Sequence, residues 1–193
     1  MDFALPDGRV LGWAEYGDQV GSPVVYLHGT PGSRLSRPDD TALEGIRLIT
    51  LDRPGYGRST PVRRPSLLGE DPVMRHRQLL ADGKDRWMPP DEDSNREGAR
   101  QGAAGLVNDW LATDLRSWGF RLRDVPSRVL VWAGRQDAGR AVPDAPLIAA
   151  RLPDAEVRIS EDAGHTPSPA DWRDLLAWST AASPNGTKTS GAQ

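Results

Sequence analysis

The chain has 193 residues, 37% of them hydrophobic, and a formal net charge of −3 at pH 7. This length fits one domain, and the slightly negative charge argues against a broad nucleic-acid-binding surface. The absence of cysteine excludes disulfides, thiolate metal sites and a cysteine nucleophile. The first residues lack a basic segment followed by a long apolar run, and no apolar run approaches the ~20 residues of a membrane span. We therefore expect a soluble cytoplasmic protein.

The N-terminal segment predicts short strands separated by turns. Asp7-Gly8 is typical of a hairpin turn, and Val10 to Tyr16 alternates in part, as a strand does. Val24 to Leu27 is a continuous apolar run, which predicts a strand buried on both faces.

Two apolar runs end in turns rich in glycine and proline. Val24 to Leu27 is followed by H-G-T-P-G-S at 28–33, and Ile46 to Leu51 is followed by D-R-P-G-Y-G-R-S at 52–59. The glycines bring bare backbone N–H groups to the carboxyl ends of the strands, where open α/β sheets bind ligands. A short helix is predicted within Leu35 to Gly45, capped by Asp39 or one of the next two residues. The order strand, helix, strand predicts a parallel crossover.

The middle of the chain predicts a helix and no buried strand. Residues 61–87 combine prolines with a polar, arginine-rich sequence, which disfavours regular structure at their start. Pro89 to Asn95 is predicted to be a loop that ends in a helix cap at Ser94, with Glu97 three residues further on. The strongest helix prediction is Glu97 to Trp118, because apolar residues recur there at three- and four-residue spacing.

Alternating strand and helix patterns return after residue 125. The predicted elements are a buried strand at 128–133, a helix at 144–152, a short strand at 156–159 and an amphipathic helix at 171–180. Asp137 follows the first of these strands, and His165 follows the second. From Ala181 onward the sequence is small and polar, which predicts a disordered tail over residues 182–193.

The two turn motifs resemble the α/β-hydrolase family of serine esterases and peptidases. In that family the first motif would be the loop after the third strand, which carries half of the oxyanion hole, and the second would be the loop after the fourth. The resemblance implies oxyanion or binding roles for Gly29 and Thr30, with His28 bracing their loop. It also implies that Asp137 is the acid and His165 the base of a catalytic triad.

The nucleophile of such a triad is missing from the sequence. The family's nucleophile elbow has the form G-x-S-x-G, and no serine here has glycine at both flanking positions; Ser59 has Gly57 before it but Pro61 after it. We therefore expect an incomplete α/β-hydrolase-type sheet, mostly parallel and flanked by helices, with a helical lid-like segment. In the family, the fifth and sixth strands lie on either side of this elbow in the sequence. Loss of these two strands would remove about 10 Å of sheet width, at ~4.8 Å per strand.

The predicted organisation is one domain over residues 1–181, with a sheet half at 1–60, the lid-like segment at 61–124 and a second sheet half at 125–181.

Three functions fit this pattern. The first is a truncated hydrolase or pseudoenzyme, impaired or inactive on ester, amide or similar bonds. The second is an active hydrolase of small molecules with Ser59 as a displaced nucleophile.

The third is a non-enzymatic partner protein that uses exposed sheet edges and the tryptophan-rich helix. No metal or organic cofactor is expected, because the three histidines, His28, His76 and His165, are widely spaced. Neither nucleic acid nor membrane is expected as a partner.

Overall fold

The structure, a computed structural model, describes residues 1–61, 92–102, 105–106, 109, 120–137, 139 and 141–181. The chain divides into two compact units, Met1–Trp118 and Gly119–Gln193. The proline-rich and arginine-rich segment after Pro61, most of the predicted helix that ends at Trp118, and the predicted disordered tail lie outside the described residues.

The first unit contains a mixed four-stranded sheet. Its strands are β1 (Asp2–Ala4), β2 (Val10–Gly17), β3 (Ser22–Leu27) and β4 (Ile46–Leu51), in the spatial order β1-β2-β4-β3. β1–β2 and β2–β4 are antiparallel, whereas β3–β4 is parallel, which confirms the predicted parallel connection. β4 is the best-covered strand: alternate residues from Ile46 onward are buried.

A single turn of 3-10 helix, Asp40–Ala42, lies between β3 and β4. Asp39 caps it, because its carboxylate accepts a hydrogen bond from the backbone N–H of Thr41 at 2.9 Å. The predicted short helix and its cap are thereby confirmed.

The prediction that β3 is buried on both faces is wrong. Val25 and Leu27 are 60% and 59% exposed. Within the described residues, β3 has one strand neighbour, β4, and lies at the edge of its sheet. An apolar run indicates that a segment favours a strand, but the strand is buried only if other elements cover both of its faces.

The helix after the undescribed segment begins earlier than predicted. α1 spans Glu92–Gly98 and is followed by a 3-10 turn, Ala99–Gln101. Ser94 is therefore inside α1 and is not its cap, and residues 92–95 are helical where a loop was predicted. Gly102, with φ of +77°, breaks the predicted continuous helix, because this left-handed conformation cannot continue an α-helix.

α1 packs directly on the first glycine-rich turn. Gly98 approaches the carbonyl of Gly32 so closely that a Cβ at residue 98 would overlap it. The buried Ser94 hydroxyl accepts a hydrogen bond from the backbone N–H of Ser33 at 2.9 Å. These contacts place α1 beside the predicted oxyanion loop.

The second unit contains a parallel pair of strands, β5 (Val129–Gly134) and β6 (Ala155–Ser160). α2 (Ala141–Ala149) lies between them in the chain, and α3 (Pro169–Thr180) follows β6. Ser168 and Asp171 form a reciprocal capping box at the start of α3, with Pro169 in its first turn.

Two predictions for this unit need correction. α2 begins three residues before the predicted start, with Pro143 in its first turn, where a proline is tolerated. β5 was predicted to be buried, but only its last two residues are; the others are half-buried. β5 has a single strand neighbour in the described part of the chain.

The combination of parallel strand pairs and helices confirms the predicted α/β class. No helix in the described ranges has the length and apolar character required to cross a membrane.

Candidate functional site

The predicted oxyanion loop follows β3 and is braced by His28, whose side chain is buried. His28 Nε2 accepts a hydrogen bond from the backbone N–H of Arg53 at 3.1 Å, and Nδ1 donates to the carbonyl of Gly29 at 2.7 Å. These two bonds require a neutral ring with its proton on Nδ1. Burial lowers the pKa of His28, which favours the same neutral form. His28 therefore joins the two strand-exit loops, consistent with the predicted bracing role.

Asp52 organises the loop after β4 from a fully buried position. Its Oδ1 accepts from the backbone N–H of Arg34 at 2.7 Å, and its Oδ2 accepts from Arg34 Nη1 at 2.8 Å and from the backbone N–H of Arg58 at 2.9 Å. Arg34 Nη1 also donates to Glu97 Oε1 of α1 at 2.6 Å. The charge of the buried carboxylate is thus matched, and α1 is joined to the loops.

A second carboxylate, Asp109, lies against the predicted oxyanion loop. Its Oδ2 accepts hydrogen bonds from Thr30 Oγ1 at 2.6 Å, from Tyr56 Oη at 2.6 Å and from Arg53 Nη2 at 2.5 Å. No sequence pattern predicted a role for Asp109, Arg53 or Tyr56. Arg53 and Tyr56 lie within a recognised motif, but Asp109 belongs to no motif and is 79 residues from Thr30.

Ser59, the predicted alternative nucleophile, has a buried side chain. Its hydroxyl donates to the carbonyl of Asp52 at 2.7 Å and accepts from the backbone N–H of Gly12 at 2.9 Å. A hydroxyl committed in this way holds the loop against β2, and its proton is already donated to a neighbouring carbonyl.

In the second unit, the structure brings together the predicted acid and base. His165 Nδ1 lies 2.9 Å from Asp137 Oδ2, and the side chains of His165 and Asp137 are 80% and 7% exposed. Asp137 Oδ1 accepts from the backbone N–H of Gly139 at 2.8 Å. The hydrogen bond from His165 lowers the pKa of Asp137 most, and the hydrogen bond from Gly139 lowers it further. The carboxylate is therefore ionised at neutral pH.

This pairing depends on a close approach between the loops that follow β5 and β6. Backbone N–H groups of Arg135 and Gln136 donate to the carbonyls of Ser160 at 2.8 Å and Ala163 at 2.9 Å. A Cβ at Gly134 would overlap the carbonyls of Ala163 and Gly164. Glycine at residue 134 therefore allows the loop carrying His165 to lie next to Asp137.

Each unit thus holds one part of the predicted site: His28, Gly29 and Thr30 in the first, and Asp137 and His165 in the second. Within the described residues, no group of three or more His, Cys, Asp or Glu side chains is arranged to hold a metal ion.

Comparisons with known proteins address the fold. No family model matches the chain. Over 95 residues it is 38% identical to a probable proline iminopeptidase of Streptomyces coelicolor, a match that covers 42% of this chain and 28% of that protein. The chain therefore matches less than a third of this relative's length.

Solved structures are similar over most of the chain. An esterase from Exiguobacterium antarcticum has a TM-score of 0.59 at 14% identity, covering 85% of this chain and 91% of its own. An α/β hydrolase from Sphaerobacter thermophilus has a TM-score of 0.58 at 16% identity, covering 92% and 99%. Esterase RhEst1 from a Rhodococcus species has a TM-score of 0.57 at 17% identity, covering 92% and 95%. These likenesses show that the chain has an α/β-hydrolase fold.

Proposed function

We propose that this chain is an esterase- or peptidase-like protein that keeps an acid–base pair but has impaired or no turnover of ester and amide bonds. The observation that carries the hydrolase part is the contact of 2.9 Å between His165 Nδ1 and Asp137 Oδ2. The proposal that turnover is impaired or absent is supported by the sequence, in which no G-x-S-x-G motif occurs.

The chemistry of the pair follows from its hydrogen bonds. Asp137, ionised and held by Gly139, accepts a hydrogen bond from His165 Nδ1–H and thereby fixes the ring's tautomer. Nε2 of the exposed ring is then the nitrogen that could take a proton from an attacking group. In a complete triad that group is a serine hydroxyl, and a general base without a nucleophile supplies only part of the catalysis. In this proposal Gly29 and Thr30 keep the oxyanion role.

Ser59 is a poor substitute for the missing nucleophile. Its oxygen is buried, and its proton is donated to the Asp52 carbonyl. To react, the hydroxyl would have to break two hydrogen bonds, one to the Asp52 carbonyl within the second loop and one from the backbone N–H of Gly12 in β2.

A binding protein is the second candidate, favoured by the exposed apolar side chains of β3. Val25 and Leu27, more than half exposed, lie on an edge strand of the described sheet. Such a strand is a common site for contact with another chain.

Hydrolysis of p-nitrophenyl acetate by the full chain tests the proposal. We expect no saturable turnover from the wild type, and no labelling by a fluorophosphonate probe that reacts with activated serines. His165→Ala and Ser59→Ala serve as test variants, with His76→Ala as the matched histidine control. Saturable turnover that is lost in His165→Ala but kept in His76→Ala would overturn the proposal, as would a labelled serine identified by mass spectrometry.

A further inference from the structure

Three hydrogen-bond donors in the first unit converge on one carboxylate oxygen. Thr30, from the loop after β3, and Arg53 and Tyr56, from the loop after β4, all donate to Asp109 Oδ2 at 2.5–2.6 Å. The donors therefore come from two loops that are held together by His28. Asp109, which comes from a separate part of the chain, contributes only the acceptor.

The guanidinium of Arg53 is incompletely used in this arrangement. Nη2 donates to Asp109 and Thr30, each at 2.5 Å, and to the Gly29 carbonyl at 2.8 Å. Nε, on the same edge of the group, is buried and has no hydrogen-bond partner among the residues described. A carboxylate that binds arginine side-on accepts from Nε and Nη2 together. Asp109 reaches only one of the two, so an unsatisfied buried donor remains.

The other donors suit an anionic oxygen. Burial, and then the bond to Asp109, raise the pKa of Tyr56 above its ordinary value, so the phenol stays protonated and can donate at neutral pH. The approach of Asp109 also depends on Gly105, four residues earlier in the chain, because a Cβ at residue 105 would overlap the Tyr56 ring. The side chains of Arg53 and Asp109 are 26% and 19% exposed, so solvent reaches both groups.

We propose that Thr30, Arg53 and Tyr56 form a binding site for a small carboxylate, and that Asp109 occupies this site as an internal ligand. A carboxylate from solution would replace Asp109 and accept from both Nε and Nη2 of Arg53. Carboxylic acids are also the acid products of ester and amide hydrolysis, so the site would hold a product-like group beside the predicted oxyanion loop. The inference goes beyond the proposed function, because it concerns carboxylate binding and does not depend on catalytic turnover.

The test removes the internal ligand and supplies an external one. Asp109→Ala and Asp109→Asn are titrated with benzoate by calorimetry, and their thermal unfolding is followed in benzoate, phosphate or chloride at equal ionic strength. We expect benzoate to bind Asp109→Ala at least about tenfold more tightly than it binds the wild type, with a matching rise in the unfolding midpoint. Asp93→Ala, which removes an exposed carboxylate paired with Arg96, is the matched control and should bind as the wild type does.

A second variant locates the site. Adding Arg53→Gln to Asp109→Ala should abolish the gain in benzoate affinity, because the two-point contact is lost. Equal benzoate binding by the wild type and both Asp109 variants would overturn the proposal, as would equal stabilisation by phosphate or chloride. Asp109→Asn keeps the size of the side chain and guards against a packing defect. If neither variant folds in chloride, benzoate must restore the folded protein, and failure to restore it would also overturn the inference.

Discussion

At the scale of single residues, environment decides what each histidine can do. His28 is buried between two strand-exit loops, and both of its ring nitrogens are hydrogen-bonded to the backbone. The ring of His165 is largely exposed and is held by one carboxylate, that of Asp137. The first arrangement suits a structural brace, and the second leaves the imidazole in contact with solvent.

The carboxyl group of Asp137 should titrate below its ordinary value of 3.8, because His165 and Gly139 donate to its ionised form. This group contributes stability above pH ~3.8, and the contribution is lost as the pH falls through the lower folded-state value. Carbon-detected NMR titration checks the midpoint. We expect the midpoint to rise toward 3.8 in His165→Ala and to stay low in Arg173→Ala; an unchanged midpoint in His165→Ala would contradict the pairing.

The buried His28 should make the first unit less stable in mild acid. Burial lowers its folded-state pKa below the ordinary value of 6.5, so below about pH 6.5 the unfolded chain binds the proton more readily. The free energy of unfolding therefore falls as the pH drops from 7.5 to 5.5. Urea unfolding at the two pH values measures the change, which should be smaller in His28→Gln. An equal pH dependence in wild type and His28→Gln would be evidence against this assignment.

At the scale of secondary-structure elements, close backbone approaches and one ion-pair network position the loops. Gly134 allows the loop that follows β6 to lie against the end of β5. In the first unit, Arg34 connects α1 through Glu97 to the buried Asp52 after β4. Both devices act at strand exits, where the predicted site residues lie.

Gly134→Ala should destabilise the second unit and separate Asp137 from His165, because the new Cβ would overlap the carbonyls of residues 163 and 164. We expect a loss of about 1–3 kcal/mol of unfolding free energy, as for other overpacked sites, and a rise of the Asp137 pKa toward normal. Gly164→Ala is the matched control, since nothing lies within 4 Å of its added Cβ. Similar stabilities for the two variants would show that the close approach is not required.

Arg34→Met should destabilise the first unit by about 3 kcal/mol or more, because it leaves the fully buried Asp52 carboxylate without its cation. Arg9→Met is the comparison, since it breaks the solvent-exposed pair with Asp7 and should cost much less stability. Chemical denaturation of both variants at pH 7 gives the two values. A loss in Arg34→Met no larger than that in Arg9→Met would disprove the proposed role of the network.

At the scale of the whole molecule, the chain is matched over most of its length by solved structures of an esterase and an α/β hydrolase, with TM-scores of 0.59 and 0.58. Its own described strands form a four-stranded sheet in one unit and a two-stranded sheet in the other. The side chains of β3 that the apolar run was expected to bury are instead in contact with solvent. Exposed apolar side chains on an edge strand favour association with other chains.

Replacing both Val25 and Leu27 by threonine should reduce binding of the dye ANS and any concentration-dependent association, because the exposed apolar surface of β3 is removed while β propensity is kept. Val20→Thr is the control, since Val20 is an exposed valine outside the strands. Dye fluorescence and light scattering after size exclusion provide the measurements. If the double variant behaves like Val20→Thr, the binding-protein candidate loses its main support.

Much of the fold and part of the candidate site could be predicted because they depend on local chemistry. Apolar runs located β3, β4 and β5, and Asp39 capped its helical turn through a neighbouring backbone N–H. The proximity of Asp137 and His165 also follows from local order, because both come directly after neighbouring parallel strands. Their catalytic roles stay predictions.

Tertiary structure decided what depends on distant partners. No local sequence pattern indicates that β3 lies at a sheet edge, that the Ser59 hydroxyl is buried, or that Asp109 contacts Thr30. Burial depends on which elements cover a face, and a hydrogen bond depends on which loops the fold brings within about 3 Å. The sequence by itself determined the strands, the turns and the absence of an elbow serine, whereas the packed chain decided which polar groups meet.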